Sequence, residues 1–156
     1  MKIAIVPGSF DPMTVGHVDI VERAANMFDQ VVVAVMINRD KTYRFSMDQR
    51  QEMAALSCAH VPNVKVISDE GMLADLAARL GACAIVKGIR DEKDLVYEQK
   101  MAQYNKERNP AAETVFLTCD PRYSSVSSTA VREALAEGRP IDALVSPAIL
   151  TKLVEK

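Results

Sequence analysis

The sequence lacks a long apolar run. No apolar stretch in its 156 residues approaches the length of about 20 residues that a membrane-spanning helix needs. The apolar stretch at the N-terminus breaks at Pro7 and Gly8, so it is too short for the core of a signal peptide. We therefore expect a cytoplasmic protein that does not cross a membrane.

The sequence also lacks an excess of charge of one sign and a cysteine framework. Its formal net charge of −2 argues against broad binding of nucleic acid. The cysteines Cys58, Cys83 and Cys119 are odd in number and far apart, so neither a disulfide framework nor a C-x-x-C metal site is indicated. We expect each to be a reduced residue of the apolar core.

What is present is the composition of a soluble globular protein. Apolar residues make up 49% of the chain and charged residues 26%. The length is that of one domain, and no internal repeat, low-complexity tract or second core is visible. The sequence therefore predicts a single domain over residues 1–156.

Strand and helix patterns alternate along the chain. Short apolar, β-branched runs predict strands at residues 2–7, 31–37, 64–67, 83–87 and 114–118. Helical spacing and end signals predict helices at residues 16–28, 45–59, 72–80, 93–106 and 128–137, with a last short helix opening at residues 146–147. This alternation predicts an α/β, Rossmann-like doubly wound fold: a mostly parallel five-stranded sheet with helices on both faces.

The loop after the first strand carries the strongest local signal. Ligands of such sheets bind beyond the carboxyl ends of the strands, yet this loop lacks both the G-x-G-x-x-G fingerprint and the G-K-[ST] of a P-loop. Instead, T-x-G-H at residues 14–17 stands at a helix start, where the helix dipole and its N–H groups favour phosphate. His17 can donate a hydrogen bond to a phosphate oxygen as charge builds during reaction. A histidine that merely caps the helix is the alternative, and G-S-F-D-P at residues 8–12 argues against it.

Cations follow the second and fourth strands. Lys41 lies in a loop where a phosphate can arrive, although an ordinary solvated cation is the alternative. Lys87 and Arg90 flank Gly88 at a strand end, which is typical of an anion clamp or of a charged surface loop. Strand alternation predicts that these two cations point to different sides of the chain. Tyr97 and Glu98, in the next helix, are expected to face back toward the same edge, and Tyr97 is expected to pack rather than to take part in chemistry.

Hydroxyl groups follow the fifth strand. Ser127 or Ser128 is expected to cap the helix that begins there, with Arg132 one turn inside it. An ordinary serine-rich cap is the alternative. Two such helix starts facing one crevice would hold a polyphosphate from both sides.

Two other kinds of chemistry lack support in the sequence. No carboxylate cluster has the spacing of a metal site, and no serine or cysteine has a base near it in sequence. The second histidine, His60, is predicted to lie on the surface at a helix end. Acyl-enzyme and metal-hydrolase mechanisms are therefore not favoured.

Two separated motifs carry a resemblance to a known family. T-x-G-H at residues 14–17 together with V-S-S-T-x-x-R at residues 126–132 resembles the paired signature of the nucleotidylyltransferase superfamily. P-G-S-F-D-P at residues 7–12, Lys41, K-G-I-R at residues 87–90 and the chain length look like the bacterial phosphopantetheine adenylyltransferase family. The resemblance implies transfer of AMP from ATP to 4′-phosphopantetheine in coenzyme A biosynthesis, giving dephospho-coenzyme A and pyrophosphate. It also implies Mg²⁺ bound with ATP and a homohexamer, and it leaves open whether coenzyme A itself binds.

The resemblance also assigns residues. His17 takes the place of the family's transition-state histidine. The implied ATP contacts are Ser9, Phe10, His17, Gly88, Ile89, Arg90, Glu98, Tyr123, Ser124, Ser125, Val126, Ser127, Ser128 and Thr129. The implied contacts to 4′-phosphopantetheine are Ser9, Lys41, Leu73 and Lys87.

Three of these positions depart from the commonest family pattern. Ser9 stands where threonine is frequent and keeps the hydroxyl group. Lys87 stands where arginine is frequent, which keeps the charge and loses the bidentate fork. Thr129 replaces a third serine. None of the three removes a chemical group that the reaction needs.

The residues suit the implied reaction. The acceptor's own phosphate is the nucleophile, so positioning and electrostatic stabilisation suffice and no enzymic base is required. The rival readings are another nucleotidylyltransferase, of the cytidylyltransferase or nicotinamide-mononucleotide type, and a non-catalytic nucleotide-binding sensor on the same fold. His17 and the basic loops argue against the sensor, which has no need of groups that stabilise a transition state.

Overall fold

The structure, a computed structural model, describes residues 1–154 as a sheet with helices packed against it. The strands are β1 (Ile3–Gly8), β2 (Gln30–Met36), β3 (Val64–Asp69), β4 (Ala84–Ile89) and β5 (Glu113–Thr118). The helices are α1 (Val15–Met27), α2 (Met47–Ser57), α3 (Leu73–Leu80), α4 (Glu92–Arg108), α5 (Ser128–Glu137) and α6 (Leu150–Val154). Short 3₁₀ turns occupy Pro121–Tyr123 and Pro147–Ile149.

The five strands form one sheet in the order β3-β2-β1-β4-β5, and neighbouring strands are parallel throughout residues 1–154. The chain builds outward from β1 on one side and then returns to build from β4 on the other. The strand order therefore reverses between β1 and β4, where ligands of such sheets bind. The predicted fold class is confirmed.

The two faces of the sheet are both covered, which explains why its strands are apolar at successive positions. On one face, Val6 and Val33 pack with Val21 of α1. On the other face, Ile5 and Leu76 of α3 belong to a second buried cluster. A third cluster joins α2, α5 and α6 beyond the sheet.

The element bounds differ from the predicted ones at their ends. Strand β1 reaches Gly8 because that residue still pairs with Val35 of β2. Helix α2 begins at Met47 because Ser46 is its N-cap. The Pro147 turn is 3₁₀, and α6 begins only after it.

All three cysteines are free, as predicted, but only Cys58 is fully buried in the core. Cys58 is buried among the apolar residues of the first cluster. Cys83 packs against that cluster from a partly buried position. Cys119 follows the last residue of β5, at the carboxyl edge of the sheet, and is a partly buried residue that borders a cavity. Over residues 1–154, no helix has both the length and the apolar character to cross a membrane.

Candidate active site

A cavity of about 760 Å³ lies at the carboxyl ends of β1 and β4, which is the size of a small-molecule site. Its walls come from the first loop, the 41–43 segment, the end of β4, the face of α4 and the start of α5. It brings together most of the residues that the sequence singled out. These are Ser9, Phe10, His17, Lys41, Lys87, Gly88, Arg90, Tyr97, Glu98, Val126, Ser127, Ser128, Thr129 and Arg132.

Five of the expected ligand contacts do not line this cavity. Leu73 is the first residue of α3 and packs against the apolar cluster of the opposite face. Ile89 ends β4, Tyr123 ends the 3₁₀ turn, and residues 124–125 lie between that turn and α5. A Cβ built on Gly16 would lie 3.6 Å from the Cβ of Tyr123, so this segment abuts the start of α1. Their assignments as contacts stay predictions.

The start of α1 is closed by a reciprocal cap. The Thr14 hydroxyl oxygen accepts a hydrogen bond from the His17 backbone N–H at 3.3 Å, and the Thr14 backbone N–H donates to His17 Nδ1 at 3.0 Å. This is a capping box in which histidine takes the place of the usual Glu or Gln. His17 thus caps the helix and also lines the cavity, so its capping role does not exclude the predicted role at a phosphate, which stays a prediction.

The hydrogen bond to Nδ1 fixes the chemical state of His17. Nδ1 accepts a hydrogen bond from the Thr14 backbone N–H, so a neutral ring must carry its own proton on Nε2. Burial, and then the nearby cations Arg90 and Lys87, lower the pKa of His17 from 6.5 to about 4. At neutral pH this side chain is therefore an uncharged donor of one hydrogen bond.

Gly8 and Phe10 set the position of that imidazole. Phe10 is buried, with a left-handed backbone φ of 49°, and its ring meets the His17 ring edge to face at 5.1 Å between centroids. The Phe10 ring covers Gly8 so closely that a Cβ there would lie 2.8 Å from Phe10 Cζ. Glycine is therefore needed at residue 8 to make room for the aromatic ring behind the histidine.

The two cations of β4 and its loop both reach the cavity, so the prediction that they point to different sides is wrong. Strand β4 ends at Ile89, and the alternation of side chains ends with it. The Arg90 backbone N–H and Nε both donate to Asp94 Oδ2 at 3.1 Å, which holds the arginine beside the cavity. Lys87 Nζ lies 2.8 Å from Glu98 Oε2.

Helix α4 supplies an anionic partner and an exposed ring to this wall. The Glu98 carboxylate is buried against the Lys87 ammonium. Tyr97, expected to pack, is 59% exposed and borders the cavity. Tyr97 and Glu98 therefore both face the carboxyl edge of the sheet, as predicted, but the expectation that the Tyr97 ring packs is wrong.

The start of α5 is attached to the first loop. Ser127 is the N-cap, since its Oγ accepts from the Ala130 backbone N–H at 3.0 Å. The Ser128 hydroxyl donates to the Pro12 carbonyl oxygen at 2.7 Å, and Arg132 Nη1 donates to the Asp11 carbonyl oxygen at 2.9 Å. The starts of α1 and α5 therefore border one cavity, as the motifs predicted.

Sequence reasoning missed Asp11, which holds two loops together. Its carboxylate is buried and accepts from the backbone N–H groups of Arg44 and Phe45 at 2.9 and 3.0 Å. This fixes the segment that carries Lys41 against the first loop. An aspartate before a proline in a conspicuous loop motif was the available signal.

Arg50, a second missed residue, is the largest fully buried side chain of the described residues. Its Nη1 donates to the carbonyl oxygens of Ser9 at 2.7 Å and of Met36 at 3.1 Å, and burial lowers its pKa. It therefore ties the ends of β1 and β2 together. An arginine on the same helix face as Met53 and Ala54 was the signal for a buried guanidinium.

The described part of the chain contains no group of three His, Cys, Asp or Glu residues placed to hold a metal ion. The three carboxylates at the cavity each have partners already: Asp11 holds backbone N–H groups, Asp94 holds Arg90 and Glu98 holds Lys87. His60 is exposed, as expected, with Nε2 3.1 Å from a Glu22 carboxylate oxygen.

Comparisons with known proteins agree with this fold and site. A family model described as cytidylyltransferase-like matches residues 5–134, which span both helix starts. A solved structure from Vibrio parahaemolyticus, titled a candidate nicotinate-nucleotide adenylyltransferase, superposes with a TM-score of 0.67 at 21% identity and covers 99% of both chains. The likeness to the solved structure concerns the fold. The family model, together with the observed fold, identifies the chain as an α/β protein of the nucleotidylyltransferase class.

Full-length relatives narrow the class further. A protein from Heliobacterium modesticaldum named phosphopantetheine adenylyltransferase is 44% identical over 156 residues, covering 100% of this chain and 93% of the relative. A protein of the same name from Caldanaerobacter subterraneus subsp. tengcongensis is 42% identical, with 100% and 98% coverage. The chain belongs to the phosphopantetheine adenylyltransferase family.

Proposed function

We propose that the cavity transfers AMP from ATP to 4′-phosphopantetheine and releases dephospho-coenzyme A and pyrophosphate. The observation that carries this proposal is the neutral His17, held at the start of α1 near Arg90 and Lys87, in a cavity that the start of α5 also lines. Such a site offers hydrogen-bond donors and positive charge to phosphates from several sides.

In the proposed mechanism, the nucleotide triphosphate lies across the starts of α1 and α5, with Arg90 beside it. His17 Nε2–H donates to the α-phosphate, where negative charge grows as the acceptor attacks. A neutral donor suits this step because it needs no proton transfer, and the acceptor phosphate is already an anion. No residue is required as a general base.

The acceptor phosphate is assigned to Ser9, Lys41 and Lys87. They border the same cavity from two loops and one strand end. Two anions must be brought together for reaction, so these clamps act on binding and on the reaction step alike. Lys87 already neighbours a carboxylate at 2.8 Å, so an arriving phosphate competes with Glu98 for the ammonium.

We propose that Mg²⁺ enters with ATP. The carboxylates at the cavity are engaged by protein donors, so the side chains do not form a resident metal site of their own. Phosphate oxygens of the nucleotide are the ligands that Mg²⁺ prefers, together with water. The ion would neutralise phosphate charge.

The test is release of pyrophosphate from ATP that depends on 4′-phosphopantetheine. Parallel reactions with CTP in place of ATP, and with nicotinamide mononucleotide in place of the acceptor, separate the rival nucleotidylyltransferases. ATP binding with no pyrophosphate release under any pairing would favour the sensor and would refute the proposal.

We further propose a homohexamer that works in the cytoplasm, on the ground of family membership. Light scattering should give a mass six times the 17.1 kDa of one chain. A monomer mass at micromolar concentration would refute the assembly.

A further inference from the structure

The hydroxyl of Tyr43 lies inside a short hydrogen-bonded chain at the edge of the cavity. The Asn38 backbone N–H donates to the Tyr43 hydroxyl oxygen at 2.6 Å, and that oxygen lies 3.2 Å from Ser9 Oγ. Both Ser9 and Tyr43 border the cavity. The motifs that relate this chain to its family do not include Tyr43.

The Tyr43 ring is held rigidly in place from behind. The Arg50 guanidinium carbon lies 4.0 Å from the ring centroid, in a cation–π contact, and Arg50 also donates to the Ser9 carbonyl oxygen. One buried guanidinium therefore fixes both the tyrosine ring and the backbone of Ser9. The hydroxyl groups of Tyr43 and Ser9 lie close together because Arg50 positions both residues.

The proton count along this chain has a consequence for the cavity. The Tyr43 hydroxyl has one proton and two acceptors within reach, Ser9 Oγ at 3.2 Å and the Asn38 carbonyl oxygen at 3.3 Å. If Tyr43 donates to Ser9, the Ser9 proton is free to point elsewhere. An anion in the cavity favours that arrangement, because hydrogen bonds to charged acceptors are stronger and successive bonds reinforce one another.

We propose that Tyr43 is a positioning residue for the acceptor phosphate. Donation then runs from the Asn38 N–H to Tyr43, from Tyr43 to Ser9, and from Ser9 to a phosphate oxygen of the acceptor. This inference rests on the proposed function, since it takes the phosphate of 4′-phosphopantetheine as the ligand of Ser9. Tyr43 itself does not touch the reacting atoms.

The test is Tyr43→Phe, which removes the hydroxyl and keeps the ring over Arg50. Loss of one hydrogen bond in the chain should raise the KM for 4′-phosphopantetheine about 2- to 10-fold. The Kd for ATP and the Tm should stay at the parent values. Tyr104→Phe is the matched control, because Tyr104 is exposed on α4 and its hydroxyl contacts Met72 Sδ at 3.9 Å and neighbours Arg108, neither of which lines the cavity.

A double-mutant cycle with Ser9→Ala tests whether Tyr43 acts through Ser9. In the Ser9→Ala background, Tyr43→Phe should add no further loss. Calorimetric binding of 4′-phosphopantetheine gives the same comparison without turnover. Three outcomes would each overturn this inference and leave the proposed function standing. They are an unchanged KM for 4′-phosphopantetheine in Tyr43→Phe, fully additive effects in the cycle, or a Tyr43→Phe variant that loses ATP affinity and thermal stability as much as acceptor affinity. A parent protein that neither binds nor adenylylates 4′-phosphopantetheine would overturn the proposed function with it.

Discussion

The substitution His17→Asn separates the two roles of this side chain. Asparagine places its side-chain oxygen near the position of histidine Nδ1, so it can still accept from the Thr14 backbone N–H that lies 3.0 Å from Nδ1 now. It is too short to present a donor where Nε2 lies. The variant should therefore keep the helix cap and lose only the hydrogen bond to the α-phosphate.

The size of the effect follows from the kind of group removed. Loss of one donor aimed at developing charge lowers kcat by about 10²–10³-fold. Binding of ATP should change little, because the cavity has several other donors and cations for its phosphates. The Tm of His17→Asn should stay near that of the parent, while His17→Ala, which also breaks the capping box, should lower it.

The protonation state of His17 has its own test. The chain has two histidines, so the imidazole signals in NMR are easily assigned with His17→Asn as the reference. We expect His17 to titrate near 4 rather than near 6.5. The ratio of kcat between parent and His17→Asn should also stay constant from about pH 5.5 to 8, since titration of the acceptor phosphate cancels in that ratio.

The same shift links folding to pH. A histidine whose pKa is lowered from 6.5 to about 4 by folding contributes stability that is present above 6.5 and is lost as the pH falls towards 4. Between pH 7 and 5 the parent should lose at most about 2 kcal/mol more than His17→Asn in denaturant unfolding. A His17 pKa near 6.5, or a kcat within about fivefold of the parent in the variant, would refute the neutral-donor mechanism.

Three further predictions concern the walls of the cavity. Lys41→Ala and Lys87→Ala should both raise the KM for 4′-phosphopantetheine and lower kcat. Only Lys87→Ala should also lower the free energy of unfolding, by about 1–3 kcal/mol, because it leaves the buried Glu98 carboxylate unpaired, whereas Lys41 is exposed. Chemical denaturation of both variants tests this difference, and Lys87→Arg, which retains the cation, is the control. Arg90→Ala should weaken the Kd for ATP measured by calorimetry and leave acceptor binding near normal, and the opposite pattern would reassign Arg90 to the acceptor. Gly8→Ala should displace the Phe10 ring, and His17 with it, because an added Cβ would lie 2.8 Å from Phe10 Cζ. We expect kcat to fall by about 10-fold or more with a small change in ATP binding. Turnover like that of the parent would show that the Phe10 ring does not determine the position of His17.

The sequence by itself determined the class of fold and the location of the site. The inner strands β1, β2 and β4 have buried residues at successive positions and are therefore apolar in runs, so they are visible without the structure. The helix ends are visible because Ser46, Ser127, Gly81 and Gly138 cap helices by local chemistry that needs no distant partner. Parallel strands place their following loops at one edge, so the T-x-G-H and serine-rich motifs were expected to meet.

The sequence also showed which residue types were available for chemistry, but it could not show their directions. Strand alternation placed Lys87 and Arg90 on opposite sides, although Arg90 lies beyond the strand and is turned by Asp94. Tyr97 was expected to pack, although its side chain is largely exposed. The side-chain periodicity of a strand or helix stops applying where that element ends. Beyond the end, the direction of a side chain depends on contacts with residues from other parts of the chain.

Only the tertiary structure decided the state of the site. The neutral form of His17 depends on burial and on two cations, one on β4 and one just after it, about 70 residues further along the chain. The chain of hydrogen bonds through Tyr43 depends on Arg50, which reaches from α2 to the ends of β1 and β2. Electrostatic shifts and hydrogen bonds fall off over a few ångströms in space, whatever the separation in sequence, so residues far apart along the chain set the chemistry of this site once the sheet has brought them together.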